Sequence, residues 1–194
     1  MSKMKSPSLV SSISNDNKSE SSTRSQQQYQ NQQRQINPIV FSISMTLHQL
    51  ISENRTKPNY KDKLKQQSKQ IFTSRKLPQI SISDYVIRIV KYMKIEESTL
   101  ILALIYIDRI SRKKKIFVNE YNIFRLFFSS VVVATKFNED KYYSNSYYAK
   151  IGGMELEQLN EMEMEFVIGI NFDLFVEAKI FDKYESTLIC NFRP

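Results

Sequence analysis

The chain is 194 residues long, 41% hydrophobic and 25% charged, with formal net charge +8. That length suits one domain of ordinary size plus a polar tail. Three glycines cannot build a loop whose backbone N–H groups cradle phosphates, and one cysteine (Cys190) with one histidine (His48) excludes a structural zinc site and a disulfide framework. The apolar runs, 98–107 and 126–135, are too short to span a bilayer, and no apolar segment near Met1 reads as a signal peptide. The expectation is an intracellular protein, nuclear or cytoplasmic, with no cofactor, no metal and no catalysis of its own.

The charge is unevenly placed. Residues 1–37 carry 5 basic and 2 acidic groups, residues 38–79 carry 8 and 2, and residues 80–194 carry 15 and 16. A folded basic surface for nucleic acid would put the excess in the hydrophobic part, so nucleic acid is disfavoured as a partner.

Residues 1–37 read as a disordered polar tail, because 22 of them are Ser, Thr, Asn or Gln and too few are apolar to offset ordering entropy. Ser6 before Pro7 suits a proline-directed kinase, with a plain linker as the simpler reading. Residues 38–79 read as an N-terminal helix and a basic linker. Ile39, Ile43, Leu47, Leu50 and Ile51 recur at helical period over about fifteen residues. His48 falls on the polar side. The stretch 54–77, broken by Pro58, is expected to be a loop or a fraying helical piece.

After Pro78, Ser81 or Ser83 caps a helix, Asp84 suits its positive end, and Ile82 is placed to staple onto Ile87. Val86, Ile89, Val90 and Met93 form one face, with Arg88, Lys91 and Lys94 opposite. Ser98 starts the next helix, which is apolar on every side from Leu100 to Ile107 and so predicts a central buried helix. Asn119 is the expected cap of a third helix with Ile123, Leu126, Phe127, Ser130, Ala134 and Phe137 on one stripe. Small Ser129, Ser130 and Ala134 let a neighbour approach closely. A polar loop follows, then a short helix over 146–150 ended by Gly152 and Gly153. The next helix, about Glu155 to Ile170, turns Leu156, Leu159, Phe166, Val167 and Ile170 inward. Phe175, Val176, Ile180, Phe181 and Tyr184 predict a last helix. No stretch alternates as a strand does, so the fold class is all-α.

Glu155, Glu157, Glu161 and Glu165 read as a solvated face. Glu163 differs, lying beside the buried stripe between Leu159 and Phe166, where an unpaired carboxylate would cost roughly 1–3 kcal/mol. Lys136 is the nearest cation by pattern, although a lysine at a helix C-terminus needs no further role.

The string Ile80-Ser81-Ile82-Ser83-Asp84-Tyr85, followed by Arg88-Ile89 and Lys91-Tyr92, resembles the start of the cyclin box in P-type (plant U-type) cyclins. Residues 103–110, Asn122 to Leu126, Ser130-Val131, Lys136-Phe137 and Glu139-Asp140 resemble the same branch. Tyr148-Ala149-Lys150-Ile151-Gly152-Gly153, Leu159-Asn160, Glu163, Phe166 and Phe172 continue the match over about residues 38–185. The resemblance implies a single five-helix cyclin box at 80–185, a preceding helix, and a C-terminal end at 186–194. It also implies a regulatory subunit that binds and activates a cyclin-dependent Ser/Thr protein kinase as a heterodimer, docking on the kinase's αC helix. In cyclins a lysine late in the third helix and a glutamate in the fifth bind main-chain groups beside that helix. Here these are Lys136 and Glu163, with Phe137 and Phe166 as flanking apolar candidates.

The second helical box of mitotic cyclins, their Met-Arg…Asp-Trp opening and an Arg-x-x-Leu motif before residue 80 are absent from the sequence. Two other readings stand beside the kinase regulator. One is a cyclin-fold adaptor that binds without activating. The other is a nucleic-acid-binding helical protein that uses Arg112 to Lys115 and the basic segment 55–76.

Overall fold

The computed structural model describes residues 37–192; Ser6 and the tail preceding Asn37 lie outside them. Among the described residues the secondary structure is helical throughout, with no strand. The first helix, α1, runs Pro38–Arg55, slightly longer than periodicity alone suggests. The Asn37 side chain accepts the Ile39 N–H at 2.8 Å and Pro38 sits where no N–H is needed, so the start is doubly specified. Ile39, Ile43, Leu47 and Ile51 are buried as expected, Leu50 only half, and His48 is exposed.

The basic linker contains a second helix, α2, Tyr60–Gln67. It is tied down at both ends. The Tyr60 hydroxyl donates to Glu120, the Gln67 amide donates to the Lys115 carbonyl at 3.3 Å, and beyond the helix Phe72 is buried edge-on against Phe166.

Five helices then lie between Ile82 and Gly169. Helix α3, Ile82–Met93, is capped by Ser81, whose hydroxyl accepts the Asp84 N–H at 3.1 Å. Ile82 is therefore the first helical residue, not the residue before the cap, and the proposed staple onto Ile87 does not apply. Tyr85 joins Val86, Ile89 and Met93 in the core, while Val90 is only half-buried.

Helix α4, Glu97–Lys113, buries every residue from Thr99 to Ile107 and contacts four other helices. It starts one residue before Ser98. Its cap comes from far away: Glu139 Oε1 accepts the Glu96 N–H at 3.0 Å and the Thr99 hydroxyl at 2.6 Å.

Helix α5, Ile123–Asn138, begins after Asn122, not Asn119. Asn119 instead closes a turn, its side chain accepting the Tyr121 N–H at 2.8 Å, because an Asx turn competes with the capping geometry. Ser129, Ser130 and Ala134 are fully buried, which lets α4 and α7 pack closely against α5. Burial stops at Thr135. Phe137, expected on the inward stripe, is 54% exposed because the last turn of α5 projects past the core.

Helix α6, Asn145–Gly152, ends on Gly153 at φ +69°, the left-handed conformation glycine adopts without strain. Helix α7, Leu156–Gly169, turns Leu159, Met162, Phe166 and Gly169 inward, followed by Ile170. Leu156 and Val167 do not join them: the first is 36% exposed at the helix start, and the second faces sideways, half-buried. Helix α8, Ala178–Phe192, packs on α1 and α4 through residues such as Leu188. Phe175, placed in a final helix by pattern, precedes it and is 73% exposed. Complete burial of Phe127, Phe128, Phe166, Leu100 and Ile105 contributes roughly 1.5–3 kcal/mol each before entropy is charged against it.

Candidate functional site

Lys136 sits in the last turn of α5 and Glu163 in the middle of α7, 27 residues apart in sequence. Packing of α5 on α7 brings them together. The Lys136 Nζ stands 2.7 Å from Oε1 and 2.8 Å from Oε2 of Glu163, and the side chains are 29% and 19% exposed. The pair is thus desolvated enough to be ordered yet remains open to a partner on one side.

A third residue completes the arrangement. Asn145, the first residue of α6, donates its amide to Glu163 Oε2 at 2.6 Å and to Asn160 Oδ1 at 2.7 Å. Three helices therefore meet at one carboxylate. A carboxylate offers about four lone-pair sites and an ammonium three N–H groups, so each partner keeps capacity beyond these contacts. What remains is one cationic donor beside one anionic acceptor, a combination suited to a main-chain carbonyl and a main-chain N–H.

The two aromatic candidates separate. Phe137, next to Lys136, is on the surface and available. Phe166 is completely buried and packs edge-on against Phe72 at 6.1 Å between ring centroids, so it supports the site from beneath and cannot touch a partner. Its position three residues after Glu163 explains this: a helical offset of three or four returns to the same face, and Glu163 sits at the rim of that face.

The same helix carries other exposed apolar groups. Met164 and Ile168 are 63% and 44% exposed, one turn apart on the outer side of α7. Phe172 follows at 70% exposure with φ +56°, in the left-handed region that a bulky side chain rarely occupies.

The sequence pattern did not single out Asn145, Met164 or Ile168. For the last two a signal existed: α7 carries two apolar stripes, one through Leu159 and Phe166 and a second at spacing four. No local signal pointed to Asn145, whose role depends on where α6 lies. Glu155, Glu157 and Glu161 are exposed, as expected of a solvated face, and Glu165 pairs with Lys114 at 3.2 Å. Among the described residues no helix is long and apolar enough to cross a membrane.

Elsewhere, the Tyr60 hydroxyl, pushed up to about 12 by burial and by its hydrogen bond to Glu120, belongs to the anchor of α2. Burial alone would raise Glu120, but the Tyr60 hydrogen bond and the Arg55 charge hold its carboxyl below the usual range.

Comparison with known proteins places this geometry in context. A family model described as Cyclin matches residues 6–174. The chain is 38% identical over 162 residues to cyclin-U4-3 of Arabidopsis thaliana, covering 83% of this chain and 72% of that protein. It is 36% identical over 125 residues to the PHO85 cyclin-like protein psl1 of Schizosaccharomyces pombe, covering 63% and 51%. It is 34% identical over 117 residues to cyclin-P3-1 of Oryza sativa subsp. japonica, covering 60% and 50%. The chain thus spans about half the length of the last two relatives. With a match of that extent laid over a helical fold built on the buried α4, the chain belongs to the cyclin family, on its U-type and P-type side.

Proposed function

We propose that this chain is the regulatory subunit of a cyclin-dependent Ser/Thr protein kinase and that it activates the kinase by docking on its αC helix. The observation that carries the reading is the preformed Lys136–Glu163 pair, braced by Asn145 and left open on one side. Lys136 donates to a main-chain carbonyl and Glu163 accepts a main-chain N–H at the end of the kinase helix. Phe137, exposed next to Lys136, supplies apolar contact beside them. The relative named as a PHO85 cyclin-like protein supports the same reading.

The chemistry stays on the kinase. Holding αC inward brings its glutamate to the ATP-binding lysine and helps order the activation loop. Such a switch works only if the regulator binds the active arrangement more tightly than the inactive one. Moving a kinase from about 1% to about 99% active requires roughly 5.5 kcal/mol of differential affinity, which a standard-size interface can supply.

The test is reconstitution. The full chain is mixed with candidate cyclin-dependent kinases, and both co-elution and phosphorylation of a substrate peptide are measured. Co-elution with a gain in phosphorylation is expected. Co-elution without any gain would establish an adaptor instead. No association with any kinase, together with duplex-DNA binding that persists at physiological salt and falls with a steep salt slope, would favour the nucleic-acid reading.

A further inference from the structure

A second surface, far from this pair, carries charge that the rest of the molecule leaves unanswered. Between Arg55 and Lys76 the sequence has 8 basic residues and one acid, Asp62. Elsewhere in the fold several cations are neutralised. Arg109 and Lys113 pair with Asp173, Arg112 with Asp108, Lys114 with Glu165 and Lys136 with Glu163. In the basic stretch only Arg55 forms an ion pair among the described residues, with Glu120. Lys61 and Lys65 stand exposed on successive turns of α2, and Lys69 follows in the turn beyond. Like charges at this spacing weaken a short helix.

The face is also held in place. Tyr60 is fastened to Glu120 and packs against Phe117 at 6.1 Å, and Gln67 reaches the Lys115 carbonyl. Arg125 grips the carbonyls of Ile71 and Thr73 at 3.2 and 3.5 Å. A basic segment fixed by buried anchors is a surface, not a solvated linker.

Its position separates it from the kinase site. The Gln67 side chain lies 3.5 Å from that of Asn122, which caps α5, and Lys136 is fourteen residues further along. At 1.5 Å per residue the two surfaces stand about 20 Å apart, at opposite ends of one helix.

We propose that the basic face of α2 docks an acidic, extended peptide segment of a protein partner. The spacing favours this occupant. Lysines four residues apart on a helix are separated by about 6 Å along its axis. Alternate residues of an extended peptide are separated by about 6.6 Å and point the same way. Carboxylates at every second position thus register with Lys61 and Lys65 on α2, and Lys69 lies in the turn beyond. The chain's own tail does not fit the role, since residues 1–37 are themselves net basic. A nucleic-acid duplex is less well matched. The ladder offers only three cations and no arginine.

The probe is a fluorescently labelled peptide of alternating Glu and Ser, with binding to the full chain measured by anisotropy. The comparison set is the unaltered chain, K61E/K65E/K69E and K136A. Saturable binding that weakens with salt is expected, with a loss of roughly tenfold or more in the triple variant as attraction turns to repulsion. K136A should bind the peptide as the unaltered chain does, so this result stands whether or not the kinase reading does. The triple variant should keep the unaltered thermal unfolding curve, because all three side chains are exposed. Absence of peptide binding, equal binding by the triple variant, or tighter binding of duplex DNA than of peptide at physiological salt would each overturn the proposal.

Discussion

Removing the Lys136 ammonium should separate the stability of this protein from the kinase activation proposed for it. In the free chain, Lys136→Ala leaves Glu163 with the Asn145 amide at 2.6 Å and with 19% exposure, so water can replace the lost donor. Loss of a partly exposed pair of this kind costs about 1 kcal/mol. For a domain of this size that lowers Tm by about 2–4 °C. In the proposed complex the same change would leave Glu163 covered by the partner without its cation, at a cost of about 2–5 kcal/mol. The concentration giving half-maximal activation should therefore rise between about 30-fold and several thousand-fold. Glu163→Gln, which keeps the shape and removes the charge, should behave similarly. The double variant should lose less than the sum of the two, because both changes break one interaction. The assay titrates each variant into a fixed amount of kinase at constant ATP and substrate, alongside thermal unfolding by circular dichroism. A Tm drop above about 10 °C, or a shift in half-activation below about threefold with folding intact, would refute the reasoning.

Glu139→Ala removes the remote cap of α4 and should cost about 1–2 kcal/mol, with faster amide exchange confined first to the turn starting at Glu96. A Cβ on Gly152 would lie 2.5 Å from the Phe128 ring, so Gly152→Ala should destabilise by about 1–3 kcal/mol in chemical denaturation. Phe172→Asn relieves a left-handed strain of about 1 kcal/mol and should raise Tm slightly. At high pH, Tyr60, Tyr106 and Tyr184 are each pushed up to about 12, chiefly by burial, from an ordinary value of 10.0. A raised pKa favours the neutral phenol in the folded chain, so this stabilisation is complete below pH 10.0 and is lost progressively as pH rises toward about 12. Tyrosinate absorbance and helical ellipticity should change together over that interval.

Much of the helical plan was legible from local pattern. The all-apolar run Leu100 to Ile107 could only be a buried helix, and Ser81, by its hydroxyl, and Gly153, by its freedom at positive φ, punctuate their helices. Lys136 and Glu163 stood out by phase, as charges beside buried stripes. What misled was chemistry with two local outlets. Asn119 had the composition of a cap and took a turn, and Phe137 continued a stripe beyond the point where any neighbour remained to cover it.

Tertiary structure decided the rest. Hydrophobic periodicity reports which side of a helix is dry, because that depends only on residues three and four apart. It carries no information about which helices meet. The convergence of α5, α6 and α7 on the Glu163 carboxylate, the capping of α4 by Glu139, and the burial of Phe72 against Phe166 all join residues far apart in the chain. Only packing, which selects partners by shape across the whole core, could assemble them.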